Sequence, residues 1–220
     1  ISRAGSSPAF STINKGIILM KFLKYILLII VSNLIFSSDL SNQINQSNDR
    51  IESYKIISSN IDSFNNDIDA CIAAYDFYLS IDELNKAAEF ITLALNNSNG
   101  KNETAIEKSE EIKAIINTYK NSKSILDKAN DKNSILESID MFTQGIESFP
   151  NLALFNYGLA LSYNKYHIIL KSSENDSDIS DYENKIYLKK SVEYYQKSYN
   201  LNPYNYDESI GLIFNSNSNS

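Results

Sequence analysis

The sequence predicts an all-α fold built from helical hairpins, and three observations support this prediction. The 220 residues include only six glycines and three prolines, too few for the many tight turns of a β-sandwich or barrel. Long segments repeat apolar residues at intervals of three and four, which is typical of amphipathic helices. A frame of one small residue, one aromatic residue and a second small residue recurs along the chain, twice with a closing proline.

Composition and charge narrow the possible functions. Hydrophobic residues make up 43% of the chain, which is enough to build a core. Residues 39–220 contain 16 basic and 27 acidic side chains, a formal charge of −11. Such a domain repels phosphate backbones, so we expect no nucleic-acid partner. With Cys71 and His167 as the single cysteine and histidine, we expect no zinc site, no catalytic residues and no cofactor.

The N-terminal segment predicts export. Met20 is the first methionine, and we expect residues 1–19 to be a disordered upstream extension. Residues 20–38 combine a basic start, the apolar run 25–31 and small residues afterwards, which predicts a secretory signal peptide. The alternative is an uncleaved membrane anchor through residues 20–36, but the apolar stretch 17–36 reaches spanning length only when two lysines are included. We therefore expect an exported protein, in the periplasm, cell envelope or medium, or alternatively a membrane-anchored one.

The remaining chain predicts one helical domain between two polar segments. Residues 39–48 are polar and predict a linker. The domain spans residues 49–214, and the Asn-Ser repeat of residues 215–220 predicts a disordered tail. Asp49 is suited to cap a first helix over residues 49–64. The apolar residues of that helix, spaced by threes and fours, are Ile51, Tyr54, Ile57, Ile61 and Phe64.

Helix start and stop signals divide the rest of the domain into hairpins. The first hairpin spans residues 68–99, and Ser80 with Glu83 has the spacing of a capping box for its second helix. Residues 103–129 predict one long helix. Ser134 with Glu137 predicts a second capping box. The third hairpin begins at residue 151, and residues 204–214 predict the start of a fourth.

The small–aromatic–small frame falls on the second helix of each hairpin. Its clearest copy is Ser191, Tyr195 and Ser198, followed by Pro203. Upstream copies consist of Ser138, Phe142, Gly145 and Pro150 and, more faintly, of Ala87, Ile91 and Ala94. In addition, Gly158 and Gly211 each follow a closing proline by eight residues. Small residues at these positions predict close helix–helix packing.

This pattern resembles the tetratricopeptide repeat (TPR) family, whose second helices carry a small residue, an aromatic residue and a closing proline. The resemblance implies a helical-hairpin α-solenoid. The copies lie 51 and 53 residues apart, whereas the family repeat is about 34 residues long. We therefore expect enlarged, degenerate hairpins with lengthened helices.

The resemblance also implies a binding surface, because the first helices of such arrays line a concave groove that receives a peptide or a partner helix. The matching positions of the third and fourth hairpins are Asn156, Leu159, Ser162, Tyr163, Glu208 and Leu212. Those of the first hairpin are Ile72, Asp76 and Leu79. An aromatic, mildly acidic groove would prefer apolar or basic segments. We expect Leu159→Asp to abolish partner capture without unfolding the domain.

Three functional hypotheses follow. The first is a non-catalytic exported adaptor that binds another protein or a peptide segment through the groove. The second is an envelope transport helper that binds a small apolar solute, which a closed apolar cavity would favour. The third is a carboxylate-based hydrolase, which requires two acids converging in one pocket.

Overall fold

The computed structural model describes residues 40–47, 49–173 and 178–203. All regular elements in these ranges are helical, and none is a strand, which confirms the predicted all-α class. In chain order they are α1 (40–46), α2 (Arg50–Ser59), a 3-10 helix (Ile61–Asn66), α3 (Ile68–Ser80), α4 (Leu84–Asn97), α5 (Glu103–Lys128), α6 (Lys132–Ser148), α7 (Ala153–Ser173) and α8 (Asp178–Leu201).

Several predicted segments lie outside the described ranges. They are the upstream extension 1–19, the signal peptide or anchor over 20–38, the fourth hairpin start at 204–214, and the tail 215–220. Among the helices that the structure describes, none is long and apolar enough to span a membrane.

Helix α1 occupies most of the predicted linker. Leu40 and Ile44 lie one helical turn apart and are both buried against other helices. The linker prediction is therefore wrong for residues 40–46. The segment is polar overall, and two apolar residues four positions apart suffice to bury one narrow face.

The first predicted helix, over residues 49–64, is interrupted. Helix α2 ends at Ser59, and a 3-10 helix continues the chain to Asn66. Of the predicted apolar stripe, Ile57 and Phe64 are buried. The other three members are exposed: Ile51, Tyr54 and Ile61. The buried face of this segment is therefore narrower than the predicted stripe and contains one apolar residue from each of the two helices.

Capping differs from prediction at two of three helices. Asp49 caps α2 as predicted, since its side chain accepts a hydrogen bond from the backbone of the first turn at 3.0 Å. Glu83 precedes α4 but makes no side-chain cap, and Ser80 Oγ donates to a carbonyl of its own helix. Ser134 belongs to a capping box, but its partner is Asp131 and α6 starts one turn earlier than predicted.

Two hydrophobic cores share the long helix α5. The N-terminal core joins α1, α2, α3 and α4 to the first half of α5, through Ala105 and Ile112. The C-terminal core joins α6, α7 and α8 to the second half of α5, through Ile115 and Leu126. At 1.5 Å per residue the 26 residues of α5 span about 39 Å, long enough to connect the two cores.

From α3 onward each helix packs against the next one in the chain. The two cores also meet end on. Leu79 and Leu84, on either side of the α3–α4 turn, contact the C-terminal core. The Asp82 side chain of that turn reaches the first turn of α7. The sequence predicts hairpins stacked side by side along their length, whereas here the first hairpin also abuts the third with its turn.

Candidate functional site

The small residues of the predicted frame lie inside helix–helix contacts. A β-carbon added to Gly145 of α6 would overlap the ring of Phe155 on α7. A β-carbon added to Gly158 of α7 would overlap the ring of Phe142 on α6. Each helix thus presents one ring and one glycine to the other. The exchange lets the two backbones approach closely with both rings buried.

Serines in the same frame form hydrogen bonds between helices. Ser138 and Ser162 hydroxyls lie 2.7 Å apart between α6 and α7. On α8, Ser191 Oγ donates to the Ala160 carbonyl at 2.9 Å, and Ser198 Oγ donates to the Ala153 carbonyl at 3.0 Å. The two contacts lie seven residues, or about two helical turns, apart on each helix and run in opposite chain directions, as expected for antiparallel helices. These serines therefore supply buried hydrogen bonds as well as close packing.

The remaining frame residues occupy comparable places. Tyr195 of α8 is buried and packs edge-on against Tyr157, with ring centroids 6.0 Å apart. Ala87, Ile91 and Ala94 form the buried face of α4 in the N-terminal core. Pro150 lies in the α6–α7 turn, and Pro203 follows α8 on the surface. Gly211 lies outside the described residues.

The predicted groove positions on α7 are not surface residues. Leu159 is 1% exposed and belongs to the C-terminal core. Asn156, Ser162 and Tyr163 are also buried, and the Tyr163 ring stacks on Tyr194 of α8 at 5.7 Å. Helices α5, α6 and α8 all pack on α7, so little of its surface is left for a partner. The assignment of these four residues to an open groove is corrected accordingly.

The remaining groove predictions have different outcomes. Glu208 and Leu212 lie outside the described residues. Ile72 is half-buried against the N-terminal core. Asp76 and Leu79 line an open cleft where the two cores meet.

We call this cleft the junction cleft. Its volume is about 420 Å³, and it lies between the end of α3, the middle of α5 and the α6–α7 turn. Its apolar lining consists of Leu79, Ile115, Phe149, Pro150, Leu152 and Leu201. Leu201, at the end of α8, is 39% exposed there. An apolar surface that opens to solvent is a candidate binding site for an apolar segment.

Two carboxylates give the junction cleft an acidic side. Asp76 accepts a salt bridge from Lys108 Nζ at 2.6 Å, and Glu111 accepts a hydrogen bond from the Tyr75 hydroxyl at 2.9 Å. Burial, and then the Glu111 carboxylate, raise the pKa of Tyr75 far above its ordinary value, so the phenol stays neutral. Two carboxylates against one ammonium leave this side of the cleft negatively charged.

A second open cleft, which we call the aromatic cleft, lies between the α2 region and α4. Its volume is about 290 Å³. The rings that line it are Tyr54, Phe64, Tyr78 and Phe90. Phe90 meets Phe64 edge-on at 4.9 Å and stacks on Tyr78 at 5.4 Å. The salt bridge between Lys86 and Glu89, 2.9 Å long, borders the cleft. Sequence reasoning missed this site because it assigned Tyr54 to a buried face.

The two most reactive types of side chain in the sequence, cysteine and histidine, are not brought together into a reactive site. Cys71 is buried and its Sγ donates to the Phe64 carbonyl at 3.2 Å. Burial raises the pKa of Cys71 to about 12, so the reactive thiolate is not formed near neutral pH. His167 Nδ1 lies 3.1 Å from the Asn184 carbonyl, on another helix. The described residues contain no group of three or more His, Cys, Asp or Glu side chains that could hold a metal ion.

Comparisons with known proteins do not identify a relative. The sequence matches no protein-family model, and searches of curated proteins and of solved structures find no match. The assignment of function therefore depends on the geometry of the chain itself.

Proposed function

We propose that this chain is a non-catalytic, TPR-like scaffold that binds an apolar, basic segment of another protein in the junction cleft. The observation that carries the proposal is the cleft itself: an apolar surface open to solvent, with Asp76 and Glu111 along one side. Apolar contacts would supply affinity, and the carboxylates would favour a segment that carries lysine or arginine.

The pattern of helix pairs supports the TPR-like part of the proposal. We assign α3–α4, α5–α6 and α7–α8 as three enlarged hairpins, since the small–aromatic–small frame falls on α4, α6 and α8. The frame residues of α6 and α8 face α7. In this assignment the partner occupies the place where the first hairpin meets the third, and not a groove along α7.

The proposal that the chain is not an enzyme is supported by the fact that both carboxylates in the junction cleft already have bonding partners. A hydrolase needs two carboxylates free to act on a substrate. The two that line the junction cleft are held by Lys108 and by the Tyr75 hydroxyl. We also propose export, on the sequence of residues 20–38, with membrane anchoring through residues 20–36 as the alternative.

Peptide selection on the full chain tests the proposed function. We expect a displayed library of random peptides to be enriched in sequences with apolar residues beside lysine or arginine. The selected peptide should then lose at least tenfold in affinity for Leu201→Asp, because a carboxylate would enter the apolar lining. The matched control is Leu136→Asp on α6, where the side chain is equally exposed at 39% but lies outside both clefts.

Two results would contradict the proposal. One is enrichment of acidic peptides. The other is an equal loss of affinity in the Leu201 and Leu136 variants, which would place the binding surface elsewhere or reflect a general effect of added charge. Circular dichroism of both variants shows whether each remains folded.

A second candidate function rests on the aromatic cleft. Four converging rings would suit a small apolar solute, as the transport hypothesis requires, although the cleft is open and not enclosed. Ligand-detected NMR with naphthalene tests this function. Binding should disappear in Tyr54→Ala and persist in Tyr199→Ala, an exposed tyrosine on α8 outside the cleft. Absence of naphthalene binding to the unmodified chain would exclude this candidate.

A further inference from the structure

A partly buried polar network connects the two cores at the α3–α4 turn. The Asp82 carboxylate accepts a hydrogen bond from Asn202 Nδ2 at 2.8 Å, at the end of α8. It also lies near the backbone N–H groups of Ala153 and Leu154 in the first turn of α7, which act to lower its pKa. Asp82 thus lies at the N-terminus of a helix that begins about 70 residues further along the chain, where unpaired N–H groups attract a carboxylate.

Arg50 extends this network to α2. Its guanidinium donates one hydrogen bond to Asn202 Oδ1 and another to the Ser80 carbonyl at 3.0 Å. Asn202 is 1% exposed, so its amide depends on these partners for hydrogen bonding. Four elements therefore meet through three side chains: α2, the α3–α4 turn, the start of α7 and the end of α8.

The backbone of Asp82 explains why an aspartate here is unusual. Its φ is +60°, in the left-handed region. Around it, Asp82 N–H donates to the Leu79 carbonyl at 3.0 Å and Glu83 N–H donates to the Tyr78 carbonyl at 2.9 Å, closing the end of α3. Glycine is the residue usually found at such helix ends, since it has no β-carbon to clash. Glycine, however, could not reach α7.

Burial also opposes the charge of this side chain. Desolvation raises the pKa of the Asp82 carboxyl, while the hydrogen bond from Asn202, the backbone N–H groups of Leu154 and Ala153 and the nearby Arg50 act in the opposite direction. Backbone strain and desolvation at Asp82 are therefore both unfavourable to folding. The contact that Asp82 makes between the two cores offsets them.

We infer that Asp82 is a latch that fixes the N-terminal core against the C-terminal core, with Asn202 and Arg50 as its supporting partners. Without the latch, the two cores remain joined through α5 and the contacts of Leu79 and Leu84. They can then change their relative angle. Ser80 and Leu201, one or two positions from latch residues, line the junction cleft, so the latch sets the shape of that cleft. The inference concerns the geometry of the two cores and holds whatever the cleft binds.

Distance measurements between the cores test the latch. Spin labels are attached to Thr92→Cys on α4 and Gln144→Cys on α6, two exposed positions on opposite sides of the junction. Native Cys71 is buried and should stay unlabelled. Treating the parent chain with the same spin label checks this. Pulsed electron resonance of the doubly labelled chain should give one narrow distance distribution.

Three latch variants separate the effect of the carboxylate from that of the backbone. Asp82→Gly suits the left-handed conformation but removes the side chain, and we expect its distance distribution to broaden at least twofold. Asn202→Ala should broaden it as well. Asp82→Asn keeps an oxygen that can accept from α7 and should remain closer to the unmodified chain. The proposal is overturned if Asp82→Gly is folded and keeps the narrow distribution.

The latch can still be tested if the Asp82→Gly variant does not fold. If Asp82→Gly fails to fold, Asn202→Ala decides, because it removes one side-chain amide outside the turn. A folded Asn202→Ala chain with an unchanged distribution contradicts the latch. Since no partner is present in these measurements, their outcome is independent of the proposed binding function.

Discussion

The ring of Phe155 on α7 covers Gly145 on α6 and leaves no space there for a β-carbon. The reverse arrangement, with Phe142 over Gly158, lies one helix turn away on the same interface. Because each glycine receives a ring from the opposite helix, the two pairs fix both the distance and the axial register of α6 and α7.

Gly145→Ala should therefore destabilise the fold. Alanine would improve intrinsic helix propensity by about 1 kcal/mol. The added methyl group, however, must displace a buried aromatic ring, and overpacking of this kind costs about 1–3 kcal/mol. We expect a net loss of up to about 2 kcal/mol in the free energy of unfolding, measured by urea denaturation. The neighbouring exposed substitution Gln144→Ala is the control and should be neutral or slightly stabilising.

Ser198 tests the hydrogen bonds between α7 and α8. Ser198→Ala keeps the close packing but removes the donor to the Ala153 carbonyl. The expected loss is about 1 kcal/mol. Ser198→Leu would in addition force a large side chain into a fully buried contact, and we expect it to be several-fold more damaging. If thermal unfolding showed both variants to be as stable as the parent, α8 would not pack on α7 through this face.

Leu159→Asp should unfold the protein. This prediction replaces the one made from the sequence, in which the variant would stay folded and lose only partner capture. The side chain is 1% exposed within the C-terminal core, so an unpaired carboxylate there would be desolvated. We expect loss of the helical signal in circular dichroism at neutral pH. A cooperative unfolding transition like that of the parent would instead indicate that this face of α7 is open to solvent.

Cys71 makes stability depend on pH in the alkaline range. Burial raises its pKa from 9.0 to about 12. Above pH 9 the unfolded chain ionises its thiol while the folded chain does not, so the unfolded state gains free energy and stability falls between pH 9 and 12, by up to about 1.4 kcal/mol per pH unit. Below pH 9 the thiol is neutral in both states, so the contribution of Cys71 to the free energy of unfolding is fully present.

The variant Cys71→Ala isolates this contribution. The Phe64 carbonyl still accepts a hydrogen bond from Asn97 Nδ2 at 2.7 Å, so the substitution leaves no unpaired acceptor. The difference in unfolding free energy between parent and variant should shrink as pH rises from 9 to 12. A constant difference across this range would mean that the thiol is as accessible to water in the folded chain as in the unfolded one.

The local pattern of the sequence was sufficient to locate the helix contacts. Small residues with an aromatic neighbour predicted close packing at Ser138, Gly145, Ser191 and Ser198, and each is buried against α7. The reason is that a small side chain on an otherwise apolar face has few other uses in a helix. The approximate bounds of α3 to α8 followed from the same periodicity, whereas α1 and the 3-10 helix did not.

The side from which a partner would approach was not predictable in this way. Leu159 and Leu79 are the same residue type on first helices of hairpins, yet one is enclosed by three helices and the other lines the junction cleft. The difference arises from the end-on contact between the cores. That contact depends on Asp82 and residues about 70 and 120 positions away, a relationship that local spacing cannot reveal.

The charge preference of the junction cleft tests the central claim most directly. Two versions of the selected peptide that differ only in lysine or glutamate at one position are compared by fluorescence anisotropy. The parent chain should bind the lysine version more tightly. In the double variant Asp76→Asn, Glu111→Gln this preference should fall about two- to thirtyfold, since each of the two exposed carboxylates contributes about 0.2–1 kcal/mol. An unchanged preference for lysine in the folded double variant would contradict the assignment of the junction cleft as the binding site.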